Sequence, residues 1–101
     1  MNVFVRSSDF DAWLSALDDH KAKARILARL RSATLGNFGD CAAVGEGVSE
    51  MRIHVGLGYR VYFVRMGATV YVPLTGGDKS SQKQDIAQAK KMARELKETK
   101  P

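Results

Sequence analysis

The 101-residue chain contains no strongly apolar run approaching the roughly 20 residues that span a bilayer, so a membrane-embedded protein is not expected. Its opening MNVFVRSSDFDAW turns polar and acidic almost at once and lacks the apolar middle and small-residue cleavage site of a signal peptide, which points to the cytoplasm. The single cysteine, Cys41, cannot form an internal disulfide and suits a reducing compartment, although one cysteine also suits a secreted chain without bridges. His20 and His54 have no Cys, His or acidic companions at ligand spacing, so neither a metal nor any other cofactor is expected. No GxSxG elbow supports a serine nucleophile. The segment GGDKSS at 76–81 falls short of a Walker A loop, since an Asp precedes the Lys and only two adjacent glycines are present, which argues against an ATPase. Internal repeats, linkers and low-complexity tracts are also missing, leaving a single domain over 1–101.

What is present fits an ordinary folded domain with a basic surface. Apolar residues make up 45% of the chain, enough for a real core in a domain this size. Sixteen Lys and Arg against 11 Asp and Glu give a net charge of +5, which favours an anionic partner such as nucleic acid or an acidic protein.

Periodicity supplies the elements. NVFVR at 2–6 reads as a short edge strand. Ser8 with Asp11 three residues on makes an acidic variant of the capping box, and Phe10, Trp13, Leu14 and Leu17 then fall on one helical face. A second helix from about Lys21 to Ala33 turns Ala22, Ile26, Leu27, Leu30 and Ala33 inward and Lys21, Lys23, Arg25 and Arg29 outward. GNFGDCAAVGEGV, with four glycines and an Asn, reads as a long loop. VSEMRIHV, YRVYFVRM and ATVYVPL read as a three-stranded antiparallel meander over 48–75, with Pro73 expected at an edge or near a strand end. A closing helix over roughly 81–97 presents Ile86, Ala89, Ala93 and Leu96, with Ser81 and Gln84 as its cap. The order β-α-α-β-β-β-α predicts an α+β fold: a small, twisted, mainly antiparallel sheet with its helices packed on one face.

The other face then needs an occupant. If Met51, Ile53 and Val55 face the helices, alternation sends Glu50, Arg52 and His54 the opposite way, joined from the next strand by Arg60, Tyr62 and Val64. Two guanidinium groups, an imidazole and a phenol on one surface suit RNA: Arg grips phosphate with a planar fork, Tyr offers a stacking plane, and His moves a proton near neutral pH. By composition alone such a patch reads first as solvated surface, because Arg and Tyr also cover half-exposed sheets with long stems and wet tips. Glycines before a helix expose backbone N–H groups and Lys79 adds a cation there, yet Gly76 and Gly77 are equally explained by a strand-to-helix turn.

Five motifs in order, FxxWL at 10–14, GNFGD at 36–40, GEGVSEMRI at 45–53, GLGYRVYF at 56–63 and GGDKSSQKQDIAQA at 76–89, resemble the HigB-like addiction-module killer branch of the RelE/ParE toxin superfamily. The resemblance implies a RelE-like fold and a toxin paired with a cognate antitoxin, for this branch often a helix-turn-helix protein encoded beside it. It implies ribosome-dependent cleavage of messenger RNA first, with ParE-type inhibition of DNA gyrase by binding, or antitoxin binding alone by a degenerate relative, as alternatives. Arg60 matches the arginine of the GYR motif that contacts the scissile phosphate. Arg52 and His54 fall where relatives carry basic strand residues, and Lys79 lies near the place of a further catalytic arginine. Glu50 is a second base candidate beside His54. The family's tyrosine early in the last helical segment is missing, with Asp85 or Ile86 standing there, so Tyr62 and Tyr71 become the stacking candidates and Lys83 a further RNA contact. Pro73 departs from the leucine-rich strand usual before GGDK.

Overall fold

The computed structural model describes residues 1–98. Five strands and three helices run β1 Val3–Phe4, α1 Ser8–Ala16, α2 His20–Thr34, β2 Cys41–Gly45, β3 Val48–Ile53, β4 Tyr59–Arg65, β5 Val70–Gly77 and α3 Gln82–Glu98, with a 3-10 turn over Lys79–Ser81. The sheet order is β1-β5-β4-β3-β2. All neighbours are antiparallel except β1, which lies parallel to β5 with Val3 opposite Val70. The α+β class therefore holds, in a mixed sheet with one strand more than the sequence suggested.

The added strand is β2, inside the segment expected to be a loop. The segment's four glycines flank the strand, Gly36 and Gly39 before it and Gly45 and Gly47 at the reversal, where Gly45, Glu46 and Gly47 take φ of 106°, 55° and 80°. These left-handed values close a hairpin in which Cys41 pairs Met51 and Ala42 pairs Glu50. Helix starts shift slightly as well. Ser7, not Ser8, caps α1, its hydroxyl accepting from Phe10 N at 3.0 Å while donating to Leu74 O at 2.6 Å, so one side chain joins helix start to sheet. Asp19 caps α2 through Ala22 N at 3.0 Å.

Helices cover both faces, which corrects the one-sided arrangement. Phe10, Leu14, Ala22, Ile26, Leu30 and Ala33 of α1 and α2 pack on Met51, Ile53, Tyr59, Val61 and Phe63. On the reverse face Ala89 and Ala93 bring α3 onto Val48, Tyr62, Val64 and Leu74. The reason lies in β4, where Val61 and Phe63 alternate with Tyr62 and Val64, so both faces are apolar and both must be covered. Pro73 sits inside β5, not at its end. Phe63 pairs Pro73 and Tyr62 pairs Thr75, so Leu74 is skipped in a bulge, where the absent N–H does least harm.

The glycine pair at the end of β5 serves packing. A Cβ on Gly76 would enter the Trp13 ring, and one on Gly77 would run into the Asp85 carboxylate. The expected Ser81/Gln84 cap is replaced by Asp78 and Ser81: the Asp78 carboxylate accepts from Ser80 N at 2.8 Å and the Ser81 hydroxyl from Asp78 N at 3.3 Å. The 3-10 turn ahead of α3 moves the cap three residues upstream. Among the described residues no helix is long and apolar enough to cross a membrane.

Gly76→Ala is expected to lower the unfolding free energy by about 1–3 kcal/mol, because the Trp13 ring must move. Urea denaturation followed by tryptophan fluorescence reads this, and an unchanged midpoint would rule out the tight packing.

Candidate functional site

α3 covers the sheet only in part. Beyond its first turn, the ends of β3 and β4 stay open, and here alternation brings Arg52, His54 and Arg60 to the same side as Glu50. Arg52 and Arg60 are direct cross-strand partners. Two like charges so placed repel, and a counter-charge is needed to hold them.

Glu50 supplies it. Its side chain is 1% exposed, and it accepts from Arg52 Nε at 3.0 Å, Tyr62 Oη at 3.1 Å and Gln82 Nε2 at 2.8 Å, with Arg60 Nε 3.4 Å from Oε2. Burial pushes the carboxyl pKa up, but the Gln82, Arg52 and Tyr62 hydrogen bonds and the Arg60 charge outweigh it, leaving the group below its ordinary range. Glu50 is thus an ionised hub with its oxygens taken, a poor acceptor for a substrate proton. Its candidacy as a base gives way to one as organiser of the two arginines.

The guanidinium groups differ in freedom. Arg60 is held along the sheet, 12% exposed, with Nη1 donating to Gly58 O at 3.1 Å. Arg52 is 39% exposed. Both border an open cavity of about 300 Å³ whose lining includes His54, Gly58 and Lys79. A neighbouring hollow of about 360 Å³ shares His54, Gly58 and Lys79 with it. Lys79 arrives by way of the turn after Asp78, its N–H facing Leu57 O at 3.5 Å. Four of the expected site residues, Arg52, His54, Arg60 and Lys79, therefore meet at one place.

Glu50 lies against both arginines, and the other three lie elsewhere. Tyr62 is fully buried beneath α3 with its hydroxyl on Glu50, and burial followed by the Glu50 charge raises its pKa strongly. It offers no ring face to a base. Tyr71 lies at the opposite face, stacked on Phe4 at 5.4 Å between centroids and packed against Phe38 and Phe63. Lys83 is exposed on the first turn of α3 and lines neither cavity.

Two participants escaped the sequence reading. Asp40 stands next to β2, its carbonyl accepting from Arg52 N at 2.9 Å, and its carboxylate reaches His54 Nε2 at 2.6 Å and Arg52 Nη1 at 3.6 Å. Arg29, expected to point outward from α2, bends back to donate to Arg52 O at 2.5 Å and Phe38 O at 2.9 Å. GNFGD spacing reveals neither, because the partners come from α2 and β3. Cys41 lies beside them, half-buried, its thiol pKa raised by burial. Among the described residues no three Cys, His, Asp or Glu side chains converge as a metal site requires.

A family model described as "Phage derived protein Gp49-like (DUF891)" matches residues 12–98. An uncharacterized protein of Haemophilus influenzae is 49% identical over 97 residues, covering 95% of this chain and 98% of that protein.

Glu50→Gln should cost about 1–3 kcal/mol, since the arginines lose their charged acceptor. The pH dependence has a definite sign. With its pKa lowered by folding, Glu50 stabilises the protein above its unfolded pKa, and that contribution is lost as pH falls through the folded value. Urea midpoints compared between about pH 7 and about pH 3.5 should therefore fall more for the native chain than for Glu50→Gln. Equal losses would contradict an ionised Glu50.

Proposed function

The chain belongs to the Gp49-like family of phage-derived proteins, and from that premise we propose that it is a toxin-like endoribonuclease acting on messenger RNA at the ribosome. The observation carrying this reading is the meeting of Arg52, His54, Arg60 and Lys79 around one open cavity, with both guanidinium groups tied to a buried, ionised Glu50. The resemblance of GLGYRVYF to the GYR motif of RelE-type nucleases supports the same site.

The chemistry needs no group beyond these side chains. The ribose 2′-oxygen attacks the adjacent phosphorus as its proton passes to a base, the P–O5′ bond breaks, and the leaving 5′-oxygen takes up a proton. The products are a 2′,3′-cyclic phosphate and a free 5′-hydroxyl. His54, 73% exposed at the cavity edge, exchanges the proton. Arg60 and Arg52 stabilise the extra negative charge on the phosphoryl oxygens, already fixed in place so that little reorganisation accompanies the reaction. Lys79 holds the flanking backbone.

One observation favours a second reading. Among the described residues, Tyr59 is the only aromatic side chain lining the cavity, and it is 6% exposed, so they present no open ring there for stacking a splayed base. A binding toxin directed at DNA gyrase requires no such ring. In either case the partner proposed is an antitoxin encoded in the adjoining reading frame, a helix-turn-helix protein with an acidic or amphipathic segment that covers the basic site.

Induced expression followed by ribosome-resolved mapping of RNA 5′ ends is expected to show new ends for the native chain and a loss of about 100-fold or more for Arg60→Ala. Undiminished cleavage by that variant would sink the site assignment, and inhibited supercoiling with intact messages would replace the nuclease reading by the gyrase one. Co-expression with the adjoining reading frame should yield a complex that co-purifies and restores growth; two separately eluting proteins would remove the antitoxin from the proposal.

A further inference from the structure

The contact between His54 and Asp40 joins an exposed imidazole at the cavity edge to a carboxylate that lines neither cavity. We propose that Asp40 is the positioning residue for His54, holding the imidazole by Nε2 and leaving Nδ1 as the nitrogen that exchanges protons at the cavity of Arg52, Arg60 and Lys79. This rests on the nuclease reading for its catalytic meaning, though not for its structural content.

Three observations carry it. The first is the geometry: Nε2 lies 2.6 Å from Asp40 Oδ2, a short, charge-assisted distance, while Nδ1 has no hydrogen-bond partner among the described residues. The second is charge. The His54 hydrogen bond is the largest influence on Asp40; it outweighs the opposing effect of burial and, with the Arg52, His54 and Arg29 charges, holds the carboxyl below its ordinary pKa. An ionised carboxylate only accepts hydrogen bonds, so Nε2 must carry the hydrogen, and neutral His54 keeps its lone pair on Nδ1.

The third is that the backbone of Asp40 is fixed from two sides. Its carbonyl accepts from Arg52 N at 2.9 Å and from Arg29 Nη2 at 3.3 Å, and Arg29 also binds the carbonyls of Phe38 and Arg52. Gly39 permits this approach: its φ is 69°, and a Cβ there would sit 2.8 Å from Arg29 Nη2. Arg52 Nη1, 3.6 Å from Asp40 Oδ1, occupies the second carboxylate oxygen and leaves Oδ2 for the imidazole. Both exposed partners of the pair are thus steered by a rigid frame beneath them, the arrangement that orients a catalytic base.

The test reads the imidazole itself. Long-range proton–nitrogen spectra of the native protein, taken where His54 is neutral, should show only the Nε2–H tautomer. Asp40→Asn, whose amide can donate as readily as accept, should release a measurable fraction of Nδ1–H. In His54→Ala the carbon-detected titration of Asp40 should move up toward the ordinary carboxylate range. A mixed tautomer in the native protein, or an unmixed one in Asp40→Asn, would overturn the assignment whether or not RNA is cut. In RNA cleavage, Asp40→Asn should lower kcat about 10- to 100-fold and Asp40→Glu should restore part of it. The double variant Asp40→Asn with His54→Ala should be no slower than His54→Ala alone. Additive losses would assign Asp40 a role separate from His54, whereas undiminished cleavage in Arg60→Ala would be a failure of the site assignment, and uncut messages with the native chain a failure of the nuclease reading. Circular dichroism on each variant separates these effects from unfolding.

Discussion

One buried carboxylate holds together charges that would otherwise separate. Arg52 and Arg60 face each other across β3 and β4, and Glu50, 1% exposed, bonds or pairs with both while also taking hydrogen bonds from Tyr62 and Gln82. An ion buried this deeply survives only when its acceptor sites are filled, so each of the four partners is as necessary to Glu50 as Glu50 is to the arginines. Other features follow from this constraint. Tyr62 lies buried under α3 with its hydroxyl on the carboxylate, α3 begins at Gln82, which donates to the same carboxylate, and the turn capped by Asp78 leads into that start.

The two-sided packing explains how a core and an open basic site share so small a sheet. α1 and α2 satisfy one face along Met51, Ile53, Val61 and Phe63, while α3 satisfies the other only as far as Val48, Tyr62, Val64 and Leu74. The ends of β3 and β4 beyond α3 then carry polar residues on a rigid support. Side chains on strands, as those of Arg52 and Arg60 are, are fixed more closely than those on a loop, and here the strands are pinned on one side by the core and on the other by the Glu50 hub.

Periodic elements were readable in the sequence because their signals are local. The faces of α1 and α2, the alternation of β3 and β4, and the shared side of Arg52, His54 and Arg60 all follow from spacing alone. The strand β2 was hidden because GNFGDCAAVGEGV has the composition of a loop, and only pairing with β3 makes a strand of its middle. The side taken by α3 was legible in principle: YRVYFVR is apolar on both alternating sets, which is the mark of a strand covered twice. Alternation alone, without that inference, sends Tyr62 to the surface. Asp40 and Arg29 could not be read, since what gives them meaning is contact with residues 9 to 23 positions away, brought near only by the fold.

The order of the chain has a consequence in time. The sheet closes only when Val3 meets Val70, and the Glu50 hub closes only when Gln82 arrives, so the basic site depends on contacts that span nearly the whole sequence. Such non-local contacts form late and at high loop-closure cost. Until α3 docks, Glu50, Arg52, Arg60 and Tyr62 stand together on β3 and β4, but the carboxylate lacks the Gln82 amide and its cover. The filled hub is therefore a property of the sheet with α3 in place, not of the β3–β4 hairpin alone.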